Sequence, residues 1–216
     1  MVLKQDWFDF LVSFKKESLP GEISHGKMAP LSRPLSSEAI KSVDNFRSSA
    51  VAIHLFEDGN ELNILLTERS DYDGHHAGQI SFPGGKKEEI DLDLEETARR
   101  ESFEEVGIPK EFGVTLLELT DIYIPVSKFK VRSYCIYHVL PFDNFVTDPR
   151  EVKSHFFMSV SDLLDESIVD KKNIKIQDRA ILKDIPYFDF NNHTIWGATA
   201  IILNELKEVL KTNVSD

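Results

Sequence analysis

Apolar and polar residues alternate along the chain in two patterns, which predict two kinds of element. Four apolar-rich runs have the length and composition of strands: residues 49–56, 62–67, 116–125 and 131–140. Asp58-Gly59-Asn60 lies between the first two runs and predicts a hairpin turn. Residues 5–16 and 194–210 instead carry apolar positions near helical spacing, so they predict helices that pack on the strands.

Weaker patterns predict the remaining elements. Pro and Ser residues after Leu19 predict an extended connector to about residue 36. Ser37 is the expected cap of a short helix that ends near residue 46, and Ser161 that of another short helix. Further strands are expected at residues 80–82, 151–160, 174–182 and 185–190.

The most informative stretch begins at the glycine pair Gly84-Gly85 and ends at Gly107. The glycine pair follows a short strand and predicts a tight turn, and Gly107 is well placed as the left-handed residue that ends a helix. On the intervening helix, Glu101, Glu104 and Glu105 lie on one face, because three or four residues make one turn. Adjacent carboxylates repel, so their grouping favours a bound cation, and Mg²⁺ prefers such oxygen ligands.

Composition narrows the classes of function. The 216 residues are 41% hydrophobic, with 15 Phe, which predicts one domain over residues 1–216, with residues 1–36 packing on it. The formal charge of −12 predicts no binding to nucleic acid or membranes. The single cysteine, Cys135, suits a reducing cytoplasm and is expected to be a buried residue rather than a nucleophile.

An acidic protein that binds phosphates also needs a local basic rim. The candidates are Arg69, Lys86, Lys87, Lys128 and Lys130. Other metal sites fit less well. The Asp91 and Asp93 segment lacks the third ligand and the glycine of a calcium loop, and these carboxylates are expected to cap the helix. His75 and His76 have no third partner at recognisable spacing.

Residues 100–108 (RESFEEVGI) resemble the second half of the Nudix box, and Gly85 and Asp91 resemble its first half. Asp91 stands where the box usually has Glu, and Ser102 where it usually has an apolar residue. Residues 65–70 (LLTERS) and 76–85 (HAGQISFPGG) resemble a second signature, that of the coenzyme A pyrophosphatase-like branch. That signature usually has Arg where this chain has Gly74.

The resemblance implies a fold, a cofactor and a set of roles. The fold would be an α/β Nudix-type α/β/α sandwich with a mixed central sheet. Glu101, Glu104 and Glu105 would hold Mg²⁺ or Mn²⁺, helped by a backbone carbonyl near Gly84. Arg100 would be an ion-pair partner that fixes a carboxylate.

Candidates for the remaining roles come from the same branch. Glu151, in residues 148–152, is the candidate general base, with an ordinary surface glutamate as the alternative. The candidate substrate contacts are Arg69, His76, Lys86, Ser127 and Lys128.

The resemblance leaves three functions open. The first is hydrolysis of coenzyme A or its derivatives to 3′,5′-ADP and 4′-phosphopantetheine. The second is the same chemistry on another nucleoside diphosphate derivative, such as ADP-ribose or a dinucleotide. The third is a Nudix-like regulatory module without turnover. The N-terminal helix is expected to pack on the main body, with binding to a partner as the alternative, so a homodimer stays open.

Overall fold

A long parallel pairing lies at the centre of the fold. Strand β1 (Arg47–Asp58) pairs with β7 (Phe129–His138) in parallel, in a register that runs from Arg47 opposite Phe129 to Phe56 opposite His138. The other pairings in this sheet are antiparallel. The sheet is therefore mixed, and the α/β class predicted from the sequence is confirmed.

The structure is a computed structural model that describes residues 6–30, 33–59, 61–70, 78–140, 142–176 and 180–214. The other strands of the main sheet are β2 (Glu61–Arg69), β3 (Ile80–Ser81), β4 (Gly84–Lys86), β5 (Val114–Glu118), β6 (Ile122–Ile124) and β8 (Val152–Ser159). Within the described ranges, the order is β3-β2-β1-β7-β5, and β4, β8 and β6 pair with β1, β2 and β7 respectively. A separate antiparallel sheet consists of β9 (Val169–Ile176), β10 (Ala180–Phe190) and β11 (His193–Trp196).

Helices cover both faces of the main sheet. They are α1 (Trp7–Ser13), α2 (Gly21–Lys27), α3 (Ser36–Ala39), α4 (Leu94–Val106), α5 (Val160–Leu164) and α6 (Gly197–Val214). Short 3-10 helices occupy Lys16–Ser18, Ile40–Ser42 and Glu166–Ile168. Helices α1 and α6 share the larger hydrophobic core with one face of the sheet.

Helix α4 packs on the opposite face through small residues. Ala98 of the helix contacts Ala50 and Ala52 of β1, and Tyr134 and Ile136 of β7 border this cluster. Because alanine has a short side chain, the helix backbone approaches the sheet closely. This close packing brings the middle of α4 next to the Gly84-Gly85 turn.

Several boundaries differ from the sequence expectations. The connector expected over residues 19–36 contains α2, and the helix expected over residues 37–46 is α3 followed by a 3-10 turn, without a side-chain cap from Ser37. Ser159, not Ser161, caps α5. Ser159 is the last residue of β8, and it keeps the extended backbone of the strand, which is the conformation that an N-cap residue needs.

Three other stretches divide where one element was expected. The strand expected over residues 116–125 is divided into β5 and β6, and the stretch at 174–182 contains the end of β9 and the start of β10. The final helix begins at Gly197 rather than near Thr194. Residues 193–196 pair with β10 instead, because Thr, Ile and Trp also suit a strand.

Candidate metal and phosphate site

The glycine turn lies against strand β1 and helix α4. Gly84 pairs with Val51, and a Cβ atom at Gly84 would overlap the backbone of Ala50 and Val51. A Cβ atom at Gly85 would overlap the carboxylate of Glu101. Gly84 is therefore required by the close approach of the β1 backbone, and Gly85 leaves room for the Glu101 carboxylate.

Helix α4 has defined ends, which fix where its glutamates lie. The Asp93 side chain accepts a hydrogen bond of 2.8 Å from the Glu96 amide, as an N-cap. Gly107 adopts φ 77° and donates its amide to the Phe103 carbonyl, so the helix ends as the sequence predicted. The expectation that Asp91 also caps the helix is wrong, because that carboxylate binds Arg100.

Asp91 and Arg100 form a buried ion pair beside the glutamates. The Arg100 guanidinium donates to both Asp91 oxygens, at 2.9 and 3.1 Å, and to the Lys86 carbonyl at 3.1 Å. Asp91 also accepts from the Glu88 amide and the Thr97 hydroxyl. These donors, led by Arg100, hold the pKa of Asp91 well below its usual range.

Arg100 also holds two of the three glutamates. Its Nη1 atom lies 2.9 Å from Glu101 Oε1 and 3.0 Å from Glu104 Oε2. The Glu104 side chain is 55% exposed, whereas that of Glu101 is 14% exposed. Burial raises the pKa of Glu101, and Arg100 opposes that effect. Arg100 therefore orients two carboxylates from one side.

Glu105 is the most buried of the three glutamates. Its Oε1 atom lies 3.9 Å from Arg69 Nη1, and the Gly84 amide hydrogen-bonds its carboxylate. Its Oε2 atom is buried and has no hydrogen-bond partner among the described residues. Burial raises the pKa of Glu105 to about 8, and the charges of Glu101 and Glu151 add to the shift.

The loop that carries Glu151 is attached to the end of α4. The Asp148 amide donates to the Glu105 carbonyl, and the Val146 amide donates to the Val106 carbonyl, each at 3.1 Å. The Glu151 carbonyl accepts from the Ser70 amide at 2.9 Å, next to Arg69. These bonds bring Glu151 near enough to Glu101 and Glu105 for its charge to raise the pKa of both.

The other candidate substrate contacts lie farther from the carboxylates or outside the described residues. Lys86 gives its carbonyl to Arg100, and its side chain is exposed. Ser127 and Lys128 form the turn before β7; the Ser127 carbonyl accepts from Arg47, and Lys128 adopts φ 55°. His76 lies outside the described residues, as do Gly74 and His75.

Two buried histidines under α4 were missed from the sequence. His54 Nε2 lies 2.8 Å from Ser102 Oγ, and His54 Nδ1 lies 2.8 Å from His138 Nε2. The sequence feature that could have indicated a buried polar partner is Ser102, which stands at a usually apolar position of the box. Cys135 is buried as expected, and burial raises the pKa of its thiol.

The donor set around Glu105 fits a divalent cation. A buried carboxylate oxygen without a partner, close to two other carboxylates, is stabilised by a positive ion. Across the described ranges, no three Asp, Glu, His or Cys side chains are already gathered around a common point. The support for an ion is instead the unpartnered Glu105 oxygen near the charges of Glu101 and Glu151. A hard ion such as Mg²⁺ takes few carboxylates and completes its shell with waters and phosphate oxygens.

Comparison with known proteins agrees with this geometry. The NUDIX domain family matches residues 45–184, a range that contains β1, the glycine turn, α4 and the Glu151 loop. The chain therefore belongs to the Nudix family.

Two curated relatives and one solved structure are informative. The chain is 32% identical over 164 residues to a protein of Schizosaccharomyces pombe named probable nudix hydrolase; the match covers 73% of this chain and 54% of that protein. It is 33% identical over 176 residues to Nudix hydrolase 15, mitochondrial, of Arabidopsis thaliana, with coverage of 76% and 59%. The chain thus spans little more than half the length of these relatives.

The fold is also similar to that of RenU, a Nudix hydrolase from M. smegmatis. The TM-score is 0.52 at 15% identity, with coverage of 77% of this chain and 86% of that one. At this identity the likeness supports the fold alone. In the described part of the chain, no helix combines the length and the apolarity needed to cross a bilayer. The expected cytoplasmic location stays a prediction.

Proposed function

We propose that this protein is a divalent-metal-dependent hydrolase that cleaves the diphosphate of coenzyme A or a derivative of it. The products would be 3′,5′-ADP and 4′-phosphopantetheine. The observation that carries the hydrolase assignment is the buried Glu105 carboxylate, with one unpartnered oxygen beside Glu101 and Glu151. Membership of the Nudix family supports it.

The ion would be held by Glu101, Glu104 and Glu105, with a backbone carbonyl near Gly84. When bound, such an ion neutralises phosphate charge and lowers the pKa of a coordinated water. Arg100 keeps Glu101 and Glu104 oriented through bonds of 2.9 and 3.0 Å, so little ordering is needed when the ion binds.

The remaining residues act on the substrate and on the water. Arg69, next to Glu105, would pair with a phosphate oxygen, since a guanidinium matches phosphate geometry. Glu151 would accept a proton from the water at its carboxylate. The oxygen of that water bonds to one phosphorus while the bridging P–O bond breaks, and the leaving phosphate carries the electron pair.

The coenzyme A assignment rests on the upstream signature. Residues 65–69 form the end of β2, and residues 80–85 form β3 and the glycine turn. Arg69, from the first part, reaches Glu105 of the box. This contact supports a reading in which the signature contributes directly to the substrate site.

A product analysis tests both parts of the proposal. The full chain is incubated with Mg²⁺ or Mn²⁺ and with coenzyme A, ADP-ribose or a dinucleotide, and the products are identified by mass spectrometry. Accumulation of 3′,5′-ADP from coenzyme A at the highest rate supports the assignment. Faster cleavage of ADP-ribose or the dinucleotide contradicts the coenzyme A part. No cleavage of any of them, with metal bound, favours a regulatory module.

A further inference from the structure

The centre of α4 contacts the sheet through a polar chain rather than through apolar side chains alone. Ser102 lies between Glu101 and Glu105, and its hydroxyl is buried against His54 of β1. His54 in turn contacts His138 of β7. All three side chains are about 1% exposed, so water does not compete for their hydrogen bonds.

The donors and acceptors in the hydrogen bonds that join Ser102, His54 and His138 can be assigned in one way. The Ser102 hydroxyl donates to the Ala98 carbonyl at 2.7 Å, so its oxygen accepts the hydrogen bond from His54 Nε2–H. Burial lowers the pKa of both rings, so both are neutral near pH 7. A neutral His54 that donates from Nε2 must accept at Nδ1, and His138 therefore donates from Nε2. Each hydrogen bond is therefore donated toward the helix, from His138 of β7 to His54 of β1 and from His54 to Ser102 of α4.

His138, the residue of this polar chain that lies farthest from α4, is held tightly by its neighbours. The His138 ring stacks on Phe56, with centroids 4.2 Å apart, and on Phe112, at 4.8 Å. Gly113 adopts φ 86°, and a Cβ atom there would overlap the His138 ring. His138 therefore cannot shift without repacking its neighbours, and it gives His54 a fixed partner.

The polar chain carries a cost that an apolar contact would avoid. His138 Nδ1 is buried and has no hydrogen-bond partner within the described residues. An unsatisfied buried acceptor destabilises the folded state, and buried polar groups can often be replaced by apolar ones without loss of stability. Stability alone therefore does not explain the three residues. A directional hydrogen bond, however, fixes rotation, which apolar contacts do poorly.

We propose that His54 and Ser102 are positioning residues that hold α4 at the rotation presenting Glu101 and Glu105 to the Gly84-Gly85 turn. The inference rests on the proposed metal site. Arg100 holds Glu101 and Glu104 from the side, and the Asp148 amide holds the end of the helix through the Glu105 carbonyl. The bond from His54 fixes the middle, one residue after Glu101 and three before Glu105.

Four variants separate positioning from simple filling of space. S102A removes the acceptor, and S102T keeps the hydroxyl. The triple variant H54L/S102A/H138L replaces all three hydrogen-bonded side chains with apolar groups of similar volume. S133A is the matched control, because Ser133 is also fully buried but its hydroxyl has no hydrogen-bond partner among the described residues.

Three measurements apply to each variant of the full chain: calorimetric affinity for Mn²⁺ alone, thermal unfolding, and steady-state kinetics. We expect S102A and the triple variant to lose about 10- to 100-fold in Mn²⁺ affinity, as for other groups that orient metal ligands. We expect kcat to fall while KM changes little. S102T and S133A should match the wild type, and the triple variant should unfold at the same or a higher temperature.

Wild-type Mn²⁺ affinity and kcat in a well-folded triple variant would overturn the proposal, since the residues would then only fill space. Crystal structures of the wild type and the triple variant give a readout that needs no metal. A displacement of the Glu101 or Glu105 carboxylate by more than about 0.5 Å is expected, and an unmoved helix contradicts the proposal. Absence of Mn²⁺ binding in the wild type would instead count against the proposed function.

Discussion

Arg69 Nη1 lies 3.9 Å from Glu105 Oε1, although the two residues are 36 positions apart in the sequence. Arg69 ends strand β2, and Glu105 lies on the last turn of α4. The contact joins a cation of the upstream signature to a carboxylate of the Nudix box. The proposed phosphate-binding group and one proposed metal ligand are therefore adjacent, as the proposed diphosphate hydrolysis requires.

Replacing Arg69 tests whether it acts on the substrate. We expect R69Q to raise KM for the diphosphate substrate about tenfold or more, because one charge-assisted contact is lost. Its Mn²⁺ affinity should not fall, since Arg69 competes with the ion for Glu105. R150Q is the control: Arg150 is exposed, and its guanidinium pairs with Asp148 of the same loop. An unchanged KM in R69Q would exclude a substrate role.

Replacing Glu105 tests the metal site. We expect E105Q to lose at least about a hundredfold in kcat, because a metal contributes several kcal/mol to charge stabilisation. In the presence of a chelator, E105Q should be at least as stable as the wild type, because burial disfavours the charge that Gln removes. E111Q, an exposed glutamate beyond α4, is the control. A large drop in unfolding temperature would indicate a structural role.

Replacing Glu151 tests the general base. E151Q should lower kcat about 100-fold or more, with Mn²⁺ affinity close to that of the wild type, because general-base catalysis contributes about that factor. Full turnover at saturating metal would show that Glu151 is an ordinary surface residue.

The buried histidines predict a pH dependence of stability. Burial, with a smaller effect of His138, holds the pKa of His54 well below its ordinary value, and burial lowers that of His138 to about 3. In the unfolded chain, histidine pKa values lie near 6.5. Below that pH, and above the lowered pKa values of the folded state, the unfolded chain therefore binds more protons than the folded one. Stability is complete above about pH 6.5 and falls as the pH is lowered.

The size of this effect follows from the shift. Between pH 7.5 and pH 5, His138 should cost about 2 kcal/mol of unfolding free energy, and His54 should act in the same direction. Urea unfolding at both pH values measures it, and the difference should shrink in H54L/S102A/H138L. An equal pH dependence in the wild type and the triple variant would contradict the assignment, as would imidazole NMR resonances that titrate near pH 6.

The sequence predicted the hairpin and the glutamate helix because these depend on local patterns. The mixed sheet, which depends on the long-range pairing of β1 with β7, was expected from the family resemblance. Gly107 marked the end of α4, and Gly84-Gly85 marked the turn. Short helices were harder: α2 has few apolar positions, and its packing depends on contacts with α6, such as that between His25 and Glu205. Those contacts join residues 180 positions apart, so no local pattern indicates them.

The site was predicted in composition but not in detail. The spacing of Glu101 and Glu105 placed them on one helical face, and the family resemblance gave their roles. Neither the spacing nor the resemblance indicated which glutamate is buried, because burial depends on where Gly84 and the Glu151 loop lie. The pairing of Ser102 with His54 was equally hidden, because it needs the register of β1 and β7.

The bonds from the Val146 and Asp148 amides to the last carbonyls of α4 have a mechanical consequence. A helix normally leaves those carbonyls to solvent, and here they tie the helix to a segment some 40 residues later. Displacing the segment that bears Glu151 would break hydrogen bonds at the end of the glutamate helix. The position of the candidate base is therefore coupled to that of the candidate metal ligands through the end of α4.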